Sequence, residues 1–123
     1  MEKAQFEEMV SQAISTIPTE FLEKIDNVAF VVEDVPSTMQ MRKLGIRHQF
    51  GLLGLYEGVN QLSRSNYTTV LPDKITLFQK PIEAIASDEQ SLKKIILDTV
   101  KHEIAHHFGM NEAEVRRAES KHK

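Results

Sequence analysis

No cysteine occurs anywhere in the chain. Disulfides and thiolate ligands are therefore excluded, and any bound metal must sit on histidine and carboxylate. The absence also fits a reducing compartment. No apolar run approaches the roughly 18 residues of a membrane span. The opening MEKAQFEEMV is polar and acidic where a secretory signal would carry a basic head and an apolar core. A cytosolic protein without membrane association is expected. Lysine and arginine form no block and the net charge is −3, so the basic footprint that nucleic acid demands is missing. Internal repeats and low-complexity tracts are also absent.

What is present is an ordinary globular composition, with 41% hydrophobic and 27% charged residues. A length of 123 residues makes one domain, 1–123, large enough for a genuine core but too small for a separate substrate-binding lobe. Any cleft should be shallow.

Apolar residues recur at helical intervals from Glu2 to about Thr16, at Phe6, Met9, Val10, Ala13, Ile14 and Ile17, which predicts an amphipathic helix. Pro18 and Thr19 break it before a shorter helical turn through Phe21, Leu22 and Ile25. VAFVVEDV is rich in β-branched residues over a strand-like length and reads as the first and most buried strand. PSTMQMRKLGIRHQF reads as a polar loop, in which His48 is either incidental or part of a cleft wall. GLLGLYEGV, between Gly51 and Gly58, suits a short edge strand approached closely by another backbone. KITLFQK has the period of two of a third strand, ended by Pro81. Ser87 or Asp88 then opens a long helix, with Ser87 and Gln90 spaced as a capping box. Its stripe of Leu92, Ile95, Ile96, Thr99, Val100 and Ile104 leads from the core into a group of histidines.

That group, KHEIAHHFGMNE from Lys101 to Glu112, carries the chemistry. His102 and His106 lie four residues apart, which on a helix puts their Cβ atoms about 5–6 Å apart on one face, a spacing that chelates one metal ion. Glu103 sits where its carboxylate can take a proton from a metal-bound water. Gly109 permits the reversal after the helix, and Glu112 is then either the third ligand or an acid complementing the dipole of a terminal helix that opens at Asn111 and runs to about Ser120. Glu114 and Glu119 are the fallback ligands. His107 is turned about 100° from the pair, so it packs, caps the helix or steadies an oxyanion instead of sharing the metal. Two imidazoles and a carboxylate suit Zn²⁺, and also Fe²⁺, Mn²⁺ or Co²⁺.

Taken in order, VAFVVEDVP, LLGLYEGV, LPDKITLFQKPIE and HEIAHHFGMNE resemble the minimal zincins, a family of small bacterial zinc metallopeptidases, over almost the whole chain. The resemblance implies an α+β fold in which a small three-stranded mixed sheet packs against an active-site helix, with N-terminal helices beside it. It implies zinc held by His102, His106 and Glu112, and Glu103 as general base. The family reads aspartate or glutamate at the third ligand position, which Glu112 matches. Larger metzincins have histidine there and a methionine turn beyond it, a role Met110 cannot fill. Zincins commonly seat an extended peptide on an edge strand, which makes Leu53, Gly54, Leu55 and Tyr56 the candidate substrate rest; the alternative is an ordinary strand with Tyr56 packed on the sheet. A peptide or protein substrate is expected. A metal-binding interaction or regulatory module without proteolysis is the alternative function.

Overall fold

A computed structural model describes residues 1–25, 27–58 and 72–108. Helix α1 spans Lys3–Ser15 and opens on a reciprocal cap between Glu2 and Gln5. It buries Phe6, Met9 and Val10, the first three positions of the predicted stripe. After Pro18 come a single helical turn, α2 (Thr19–Leu22), and a 3₁₀ turn (Glu23–Ile25). Strand β1 follows at Val28–Glu33, helix α3 at Thr38–Leu44, a 3₁₀ turn at Gln49–Gly51 and strand β2 at Gly54–Glu57. Strand β3 (Asp73–Phe78), helix α4 (Gln79–Ile85) and the 19-residue helix α5 (Glu89–His107) complete the described chain.

The sheet has the order β1-β3-β2, with β1 parallel to β3 and β2 antiparallel to it. The expected α+β class and three-stranded mixed sheet are therefore found. The expectation that β1 is the most buried strand is corrected. β3 lies between the other two and buries every residue but Lys74, whereas β1 runs along one margin and is mostly half-buried. Apolar composition marks a strand, but its place in the sheet decides how far it is covered.

Three local expectations also change. The supposed polar loop contains α3, capped by Ser37 Oγ, which accepts from the Gln40 N–H at 3.0 Å, while the Ser37 N–H donates to Gln40 Oε1 at 2.9 Å. Gly45, at φ 69°, closes α3 in the left-handed conformation that glycine adopts without strain. His48 acts locally, its Nδ1 accepting from the Phe50 N–H at 3.0 Å to start the next turn. Pro81 does not end β3; it lies in the first turn of α4, where the missing N–H costs no helical hydrogen bond. Helix α5 is capped by Asp88 paired with Ser91, not by Ser87 with Gln90. The Asp88 carboxylate accepts from the Ser91 N–H at 2.7 Å, and the Asp88 N–H donates to Ser91 Oγ at 3.0 Å.

The core lies between α1, α5 and one face of the sheet, where Phe6, Ile75, Leu77, Ile82, Ile96 and Val100 are wholly buried. Strand register puts Gly54, Tyr56, Asp73, Ile75 and Leu77 on that face, since Gly54 pairs with Leu77 and Tyr56 with Ile75. The opposite face carries the Lys74–Glu57 ion pair at 3.7 Å, and Gln40 Nε2 of α3 donates to Glu57 Oε1 at 3.2 Å. No helix among the described residues is long and apolar enough to cross a membrane. The segment QLSRSNYTT, the turn expected at Gly109 and the terminal helix expected from Asn111 lie outside the described residues.

Candidate metal centre

Helix α5 buries Leu92, Ile96, Thr99, Val100, Glu103 and Ile104, so its last two turns are fixed by packing before any ligand enters. At that end the helix presents two adjoining rows at four-residue spacing. One row is Thr99, Glu103 and His107; the other, displaced by about 100° around the axis, is His102 and His106.

The second row makes the candidate centre. His102 and His106 are half-buried, their ring centroids 4.9 Å apart and their planes inclined at 65°. Together with Glu103 they offer two imidazole nitrogens and a carboxylate oxygen that all lie within 4.8 Å of one another. Glu103, only 7% exposed, is the most buried of the three.

The first row faces the sheet. A Cβ on Gly54 would lie 2.7 Å from Thr99 Cγ2 and 3.2 Å from Glu103 Cγ, so β2 and α5 can approach this closely only with glycine at that point. One turn further on, the His107 ring meets Tyr56 edge-to-face at 5.5 Å, and its Nδ1 lies 3.3 Å from Asp73 Oδ2. The same Asp73 oxygen accepts the Tyr56 hydroxyl at 2.8 Å.

The model of the zincin-like metallopeptidase family matches residues 25–122. The chain belongs to that family. A comparison with curated proteins gives no match.

Membership implies a bound metal, typically zinc. The donor set of this zincin fits one. Imidazole nitrogen is a common zinc ligand, and the two rings stand together on one helix with the Glu103 carboxylate beside them, where it can act on a metal-bound water. His102, Glu103 and His106, singled out in the sequence, are thus brought together. Glu112, with the fallback acids Glu114 and Glu119, lies outside the described residues.

The four residues of the candidate substrate rest fall at β2 and immediately before it, beside Glu103. The Leu53 carbonyl accepts from the Phe78 N–H at 2.9 Å. Since backbone groups alternate along a strand, Leu53 and Leu55 address β3, while the backbone N–H and C=O groups of Gly54 and Tyr56 point to the other side. The Tyr56 side chain is turned inward onto Asp73 and His107.

Asp73 carries no functional signal in the sequence. It precedes an alternating strand and looks like a turn residue, yet it is only 6% exposed and is held at the strand start by its N–H bond to the Asn27 carbonyl, at 3.1 Å.

Proposed function

We propose that this zincin is a zinc-dependent peptidase that hydrolyses a peptide or protein substrate. The observation that carries the reading is the buried carboxylate of Glu103 set against the His102 and His106 donors. His102 and His106 would hold the metal, with Glu112 as the third ligand by its place in the family motif. When bound, zinc supplies a water acidified toward a pKa of ~7 and polarises the scissile carbonyl.

Glu103 takes the proton of the attacking water and returns it to the leaving amine. Its burial against Gly54 restricts its rotamers and keeps bulk water from hydrating the carboxylate fully, so it meets the reacting water already oriented. An extended substrate lies along Leu53–Tyr56, held by main-chain hydrogen bonds that do not depend on side-chain identity. A cytosolic location belongs to the same proposal.

Glu103→Gln tests the proposal, because the amide keeps the side chain's shape but cannot take a proton. Hydrolysis of a generic casein or peptide-library substrate should fall by about 10²–10⁴-fold while zinc content is retained. Unchanged hydrolysis in the variant would remove Glu103 as the base. Zinc binding without hydrolysis in the wild-type protein would favour the interaction module.

A further inference from the structure

We propose that Tyr56, Asp73 and His107 form a positioning cluster that locks the last turn of α5 onto the sheet and so keeps His106 aligned with His102 for the metal. The inference rests on the metal-site reading above.

The need for such a lock follows from where His106 stands. It is the penultimate residue of α5, in the turn where a helix runs out of carbonyl partners and frays. A chelating pair four residues apart meets one ion only while the turn between its members stays intact, with the donors held within about 0.5 Å. Part of the closure is local, through the Phe108 N–H bonds to the Ile104 and Ala105 carbonyls at 3.3 and 3.1 Å. These stop the helix without fixing its rotation about its own axis.

Rotation is set by the row that faces the sheet. At Gly54 it is fixed by steric contact alone. At His107 it is set by packing, because the ring meets Tyr56 of β2 edge-to-face and its buried Nδ1 stands 3.3 Å from the Asp73 carboxylate of β3 without hydrogen-bond geometry. The Tyr56 hydroxyl, donating to Asp73, sets the orientation of the carboxylate that faces His107. His107 also stands in the last helical turn, where a polar or cationic group complements the carbonyl ends. With His107 seated, His106 is carried about 100° round the axis, out of the sheet contact and onto the row of His102. The roles left open for His107 thus resolve to packing that positions its neighbour.

The test measures zinc affinity by competition with a chromophoric chelator, on untagged protein shown to be folded by circular dichroism, together with the visible spectrum of the Co²⁺-substituted protein. Asp73→Ala and His107→Phe should each weaken zinc binding by about tenfold to a hundredfold, the range found when groups that orient a ligand are removed. Both should also alter the Co²⁺ spectrum. Tyr56→Phe, which stays folded if the larger changes do not, should shift both readouts in the same direction by less. Asp73→Asn keeps an acceptor for the Tyr56 hydroxyl and should recover part of the loss seen with alanine. Two controls separate positioning from stability: Lys74→Ala, on the opposite face, and Val10→Ala, in the core under α1. Both should leave affinity and spectrum unchanged, even where Val10→Ala melts as early as the cluster variants.

Wild-type affinity in the folded cluster variants, or an equal loss of affinity in Val10→Ala, would overturn the proposal. Failure of the wild-type protein to bind zinc would overturn the metal site first and the cluster with it, a result distinguishable because no variant is needed to see it.

Discussion

Gly54 and Glu103 face each other so closely that a single added carbon on Gly54 would lie 3.2 Å from Glu103 Cγ and 2.7 Å from Thr99 Cγ2. The strand proposed to seat the substrate and the side chain proposed to take the water proton are therefore packed as one unit. The orientation of Glu103 is inherited from the sheet–helix contact.

Gly54→Ala should accordingly cost about 1–3 kcal/mol of stability through overpacking, and it should lower hydrolysis beyond what the lost folded fraction accounts for. Thr99→Ser removes the nearest clashing methyl, so the double variant should regain part of the stability. The Thr76 carbonyl and Glu103 Cγ, each 3.2 Å away, prevent full recovery. Denaturant melts of the two single variants and the double variant check this, and an additive double variant would deny the contact.

The helix that carries the histidines depends on its start as well as its end. Asp88→Ala removes the carboxylate that accepts from the Ser91 N–H at 2.7 Å, and it should cost about 1 kcal/mol in chemical denaturation. Zinc affinity should hold, since the cap lies at the far end of α5 from the ligand row.

Glu112→Ala should reduce zinc affinity by more than about tenfold if Glu112 closes the coordination sphere, whereas Glu114→Ala and Glu119→Ala should not. Competition titration of the three variants ranks the acids. A larger loss at Glu114 or Glu119 would move the third ligand there.

The parts of the site legible in the sequence were those encoded by spacing along one element. His102, Glu103 and His106 sit on one helix, so the 3.6-residue period alone places them together. The parts that were not legible depend on register between elements. Nothing local to Asp73 reveals that β3 starts beside the end of α5, or that pairing Tyr56 with Ile75 turns the Tyr56 hydroxyl onto Asp73. Helix α3 escaped for another reason: its charged residues resemble a solvated loop, although Ser37 and Gln40 carried the spacing of a capping box. Apolar content does not say which strand lies in the middle, so β1 is less covered than its composition suggests.

Metal analysis of untagged protein, dialysed against zinc and then against metal-free buffer, tests the centre most directly. Wild-type chain should retain one equivalent, and the His102→Ala/His106→Ala double variant should retain none while keeping its circular dichroism. Substantially less than one equivalent on the wild type, or equal retention by the folded double variant, would contradict the assignment of these two imidazoles as ligands.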